Sequence, residues 1–112
     1  MSFGVPAVGA GEVPDEGLLL DVREPAEWVA GHVERAVHIP LGQVVERLPE
    51  ITELAGDEPV HVICKAGGRS AQVTAFLLQQ GVQAINVDGG MHAWQSAGRP
   101  MVSDEGDVPT VR

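Results

Sequence analysis

A chain of 112 residues has room for one compact domain, which at this size buries about two-thirds of its unfolded surface. Hydrophobic residues make up 44% of it, too many for a disordered segment, and with two Phe, two Trp and no Tyr the packing must be aliphatic. The formal charge of -9, from 16 acidic against 7 basic residues, repels phosphate backbones and anionic lipid, which argues against nucleic acid or a membrane as partner. Any site for a small anion would have to be built locally, from backbone N–H groups and one or two basic side chains.

The amino terminus, MSFGVPAVGAGEV, has no basic leader region, and no run approaches the ~20 apolar residues of a membrane helix, so the chain reads as soluble and cytoplasmic. Residues 1–16, rich in Gly, Pro and acidic residues, read as a loosely structured lead-in anchored by Val5 and Val8. The domain proper is expected over 17–100. Leu18 to Val22 is a continuous apolar run, the pattern of a strand buried on both faces. Pro25 suits the first turn of a helix over Glu24 to Ala30, stopped by Gly31, and Ala36 to Ile39 offers a second strand closed by Pro40.

Leu41, Val44, Val45 and Leu48 recur at helical spacing. Val60 to Ile63 reads as a third strand, with the turn-like Gly56-Asp57-Glu58-Pro59 before it and Cys64 at its end. Ser70 to Gln80 is the clearest helix, with Val73, Phe76 and Leu77 on one face and Gly81 just past its end. A fourth strand, Ala84 to Val87, leads through Gly89-Gly90 into a last helix, Met91 to Ser96, and residues 101–112 read as a solvated acidic tail. Alternating strands and helices predict an α/β fold with a mainly parallel sheet flanked by helices on both faces, and ligands bind such sheets beyond the carboxyl ends of the strands.

Cys64 is the only cysteine, which excludes an intramolecular disulfide and a thiolate-rich metal site. It occupies such a strand end, followed by Lys65, Ala66, Gly67, Gly68 and Arg69. Paired glycines allow successive N–H groups to turn inward, and the helix beginning near Ser70 adds its positive end. A thiol so placed ionises more readily, and the thiolate is the nucleophilic form.

The Asp21-Val22-Arg23-Glu24 stretch, Glu27-Trp28, Gly31-His32-Val33 running through Ala36 to Ile39-Pro40, CKAGGRS, and Asp88-Gly89-Gly90 followed by Ala93-Trp94 together resemble the single-domain rhodanese family over roughly residues 17–100. The resemblance implies the three-layer rhodanese-like fold and a sulfurtransferase that takes a sulfane sulfur from an anionic donor such as thiosulfate. Cys64 would carry the sulfur as a persulfide and pass it to cyanide or a cellular thiol. Lys65, Ala66, Gly67, Gly68 and Arg69 would cradle the persulfide, with Ser70 counted among the binding residues, and Arg69 and Lys65 attracting the donor. No metal or organic cofactor is implied. The alternative is a non-catalytic or partner-dependent sulfur-relay module of the same fold.

Cysteine-based phosphatases also place an arginine after the cysteine, but with five residues between the two, enough to cradle a tetrahedral phosphate. Here four intervene, and Ile63 stands where tyrosine phosphatases place a histidine. Asp21 and Arg23 read as a structural polar pair tying loops together. His32, His38, His61 and His92 show no ligand spacing, and Trp28 and Trp94 read as packing residues.

Overall fold

The structure, a computed structural model, describes residues 3–112. Among these residues five strands form one sheet: β1 (Ala7–Gly9), β2 (Leu19–Asp21), β3 (Val37–His38), β4 (Val60–Ile63) and β5 (Ala84–Asp88), in the order β1-β5-β4-β2-β3. Every pairing is parallel; Leu20 stands opposite both Val37 and Val62, and Val62 opposite Asn86. β4 lies at the centre, and all four of its residues are buried, as a parallel strand covered on both faces requires.

Alternation along the strands divides the core in two. On one face Leu18, Leu20, Val22, Val60, Val62 and Cys64 pack with Ile51 and Ala55 of α2 (Leu48–Ala55) and Val73 and Leu77 of α3 (Gly68–Gln79). On the other, Leu19, Ile63 and Val87 pack with Met91 and Trp94 of α4 (Gly90–Ser96) and with Ala10 and Val13. This is the expected three-layer α/β arrangement. Among the described residues no helix is long and apolar enough to cross a membrane.

Three segments depart from the sequence expectation. The lead-in is not loose: β1 pairs with β5 from Ala7↔Asn86 to Gly9↔Asp88, and Ala10 and Val13 are buried. Its short apolar stretch gains a sheet edge that only the folded chain offers. The periodicity from Leu41 to Leu48 is not one helix. Leu41–Gln43 is a single 3₁₀ turn and α2 begins at Leu48, because Pro49 has no N–H to give and is tolerated only in a first helical turn.

The acidic tail is held along α1 (Pro25–Ala30) and the residue after its cap. Val102 and His32 exchange backbone hydrogen bonds of 2.8 and 2.9 Å, Asp104 N–H donates to the Val29 carbonyl and Thr110 N–H to the Ala30 carbonyl. A short helix leaves its last carbonyls without intrahelical donors, and the tail supplies them. His32 Nε2 lies 2.9 Å from the Asp104 carboxylate.

Asp21 and Arg23 form a fully buried pair, as expected. Arg23 Nη2 donates to Asp21 Oδ2 and to the Gly31 carbonyl, both at 2.8 Å, and its Nη1 donates to the Glu27 carbonyl. The pair thus fixes the end of β2 to both ends of α1. Trp28 of α1 stacks with both the His32 and the His38 rings, at centroid distances of 3.6 and 4.7 Å.

Candidate active site

Cys64 follows β4, the central strand, and is 1% exposed. The residues after it turn sharply, because Gly67 takes the left-handed conformation at φ 112° that a side chain disfavours. α3 starts at Gly68, two residues earlier than the apolar pattern suggests. Gly68, Arg69 and Ser70 therefore form the first helical turn rather than a loop, a turn whose N–H groups have no intrahelical acceptor.

Gly67 N–H donates to Cys64 Sγ at 3.1 Å and Ser70 Oγ lies 3.2 Å from it. Burial pushes the Cys64 thiol pKa up. Hydrogen bonds from the Ser70 hydroxyl and from the N–H groups of Ser70, Gly67 and Ala66 outweigh it, so the net shift is downward. Each of these bonds favours the charged sulfur over the neutral one. Of the expected cradle residues, Ala66, Gly67 and Ser70 thus address the sulfur directly.

Arg69 behaves differently. Its guanidinium grips the Glu27 carboxylate of α1 with two hydrogen bonds of 2.7 and 2.9 Å. That contact, against the opposing effect of burial, lowers the Glu27 pKa to about 2 and raises that of Arg69. The fork faces a carboxylate rather than open space in front of the sulfur. Lys65 is half-buried and its ammonium has no ion pair among the described residues.

The loop is buttressed from the far side by α4. Met91 N–H donates to the Cys64 carbonyl at 2.8 Å and His92 N–H to the Lys65 carbonyl at 3.1 Å. The two backbones approach so closely that a Cβ on Gly90 would lie 2.3 Å from the Cys64 oxygen. Gly89-Gly90 is thus more than a turn: Gly90 is the space in which the cysteine loop rests.

Two partners of the site escape sequence reading. Glu27 belongs to one of the stretches that carry the family resemblance, but nothing local ties it to the cysteine loop. Asn86 left a signal, as a polar residue inside the apolar run Ala84 to Val87. Its side chain is fully buried beneath the loop, with Oδ1 2.5 Å from Ser70 Oγ and Nδ2 donating to the Gly67 carbonyl at 3.2 Å.

The sequence model of the rhodanese-like domain matches residues 9–97. The chain belongs to the rhodanese-like domain family. It is 37% identical to YtwF of Bacillus subtilis over 89 residues, covering 80% of this chain and 84% of that protein. It is 38% identical to a sulfurtransferase of Allochromatium vinosum over 93 residues, 82% of this chain and 84% of the other. A rhodanese-related protein from Thermoplasma volcanium has the same fold, with a TM-score of 0.78 at 32% identity over 87% of this chain and 97% of that one. The matched span of this rhodanese-like domain takes in the Cys64 loop, Glu27 and Asn86, and it begins at Gly9, within β1.

Proposed function

We propose that this rhodanese-like domain is a sulfurtransferase or sulfur relay, and that Cys64 carries the sulfur. The observation behind this reading is a cysteine beyond the central strand whose sulfur meets the Gly67 N–H and the Ser70 hydroxyl at 3.1 and 3.2 Å. Donors so arranged stabilise a thiolate, and the inward N–H groups suit an additional sulfur bearing negative charge. The similarity to the Allochromatium sulfurtransferase supports the same chemistry.

With thiosulfate as donor, the Cys64 thiolate attacks the outer sulfur. The Sγ–S bond forms, the donor S–S bond breaks, and its electron pair leaves with sulfite. Cyanide or an acceptor thiol then attacks the outer sulfur of the persulfide, and the electron pair of the Sγ–S bond returns to Cys64 as thiolate. Lys65, Ala66, Gly67, Gly68, Arg69 and Ser70 bind the persulfide, and Lys65 attracts the donor. The overall negative charge opposes nucleic acid and membrane surfaces as partners, and a cytoplasmic location suits a lone thiol that must stay reduced.

A relay between proteins, with thiosulfate only a weak donor, is favoured by one observation. Arg69 is committed to Glu27, which among the described residues leaves Lys65 as the loop's cation without an ion pair, on a chain of charge -9.

The test is the intact mass of wild type and Cys64→Ser after thiosulfate, then after cyanide. One added sulfur on wild type only, lost to cyanide as thiocyanate, is expected. Full thiocyanate production by Cys64→Ser would overturn the assignment. A wild type that gains no sulfur from thiosulfate but does from a persulfidated protein would select the relay reading.

A further inference from the structure

Beneath the sulfur, four residues close a ring of hydrogen bonds. The Asn86 amide nitrogen donates to the Gly67 carbonyl at 3.2 Å, which turns its oxygen toward Ser70. Gly67 N–H in turn donates to Cys64 Sγ. Ser70 Oγ reaches three acceptors: Asn86 Oδ1 at 2.5 Å, the Gly67 carbonyl at 3.1 Å and Cys64 Sγ at 3.2 Å. A hydroxyl has one proton to give. Ser70 and Asn86 are fully buried, so the competition is settled inside the protein.

We propose that Asn86 is a positioning residue that competes with the Cys64 sulfur for the Ser70 hydroxyl proton, a role that rests on Cys64 being the nucleophile. While the sulfur is a thiol, the hydroxyl points to Asn86 Oδ1 along the shortest of its three contacts. When Sγ carries negative charge, the charge-assisted bond is the stronger one and the hydroxyl rotates to it. Once a sulfane sulfur is attached, the charge lies on the outer atom, Sγ is neutral, and the hydroxyl returns to Asn86.

The acceptor's attack then sends the electron pair of the S–S bond back to Sγ, and the hydroxyl follows it again. No covalent bond changes in this exchange, since the proton stays on Oγ and only the O–H direction alternates. Asn86 therefore holds a donor ready for the leaving thiolate without locking that donor onto the sulfur. In doing so it restrains ionisation of the resting thiol.

The experiment is the pH dependence of Cys64 alkylation by iodoacetamide in the full chain, for wild type, Asn86→Leu, Ser70→Ala and the double variant. Without its competitor the Ser70 proton serves the sulfur, so Asn86→Leu should lower the alkylation midpoint by roughly half to one pH unit. Ser70→Ala should raise it, and adding Asn86→Leu to Ser70→Ala should leave it where Ser70→Ala put it. A midpoint raised or unmoved by Asn86→Leu, or the same shift with and without Ser70, would overturn the proposal.

Should Asn86→Leu fail to fold, Asn86→Asp replaces it. Its carboxylate should raise the midpoint more when Ser70 is present than in Ser70→Ala, and equal shifts would overturn the proposal. Sulfur uptake followed by intact mass tests the nucleophile separately, because alkylation needs no sulfur donor.

Discussion

Neutralising Glu27 tests both the stability and the chemistry of the site. In Glu27→Gln the Arg69 guanidinium loses its charged partner while the side-chain shape is kept. The Glu27 pKa falls from 4.5 to about 2 on folding, chiefly through the Arg69 hydrogen bonds. At 1.36 kcal/mol per unit this corresponds to roughly 3.4 kcal/mol as an upper bound. The Arg69 side chain is 36% exposed, so solvent screening reduces the value to about 1–2 kcal/mol.

Because the folded-state value is the lower one, the unfolded chain takes up the proton first as pH falls. The contribution of Glu27 is therefore complete above about pH 5 and is lost as the pH drops from 4.5 toward 2. Urea unfolding of wild type and Glu27→Gln at pH 7 and pH 3 should show a gap of about 1–2 kcal/mol at pH 7, reduced to roughly half or less at pH 3. A gap that is the same at both pH values would refute the reasoning. The freed guanidinium should also lower the apparent KM for thiosulfate several-fold; an unchanged KM would remove Arg69 as a contact for the donor.

Gly90→Ala should cost about 2–4 kcal/mol and abolish sulfur transfer, since its Cβ would meet the Cys64 and Lys65 backbone at 2.3 and 2.6 Å in a residue at φ 55°; wild-type melting and activity would contradict the close approach. Asp21→Ala strands the fully buried Arg23 guanidinium and should cost about 3–5 kcal/mol in urea unfolding, much of it recovered by adding Arg23→Met. A loss under about 1 kcal/mol would show that the pair is not the anchor of α1. Deleting residues 103–112 should speed amide exchange in α1 and leave β4 unchanged, and equal protection in both chains would refute the tail's role as a strap.

Most of the architecture is legible in local patterns. The apolar runs Leu18 to Val22, Val60 to Ile63 and Ala84 to Val87 and the amphipathic helix after Cys64 are short-range signals, and each strand falls where its run does. The cysteine loop is also local, because its glycines and its place after a strand lie in contiguous sequence. What sequence leaves open depends on contacts between distant segments. β1 is a strand only because β5 offers an edge, the tail is ordered only because α1 lacks donors for its last carbonyls, and Pro49 overrides a periodic pattern by what its ring forbids.

The chemistry of the site divides along the same line. Sequence alone singled out the candidate nucleophile, the lone Cys64, and the glycines, lysine and arginine that follow it, since those are properties of adjacent residues. Only tertiary structure decided that Arg69 spends its charge on Glu27, 42 residues away, and that Asn86 stands behind Ser70. A hydrogen bond depends on distances of a few ångströms and on direction, and the folded backbone sets both for groups that lie far apart along the chain.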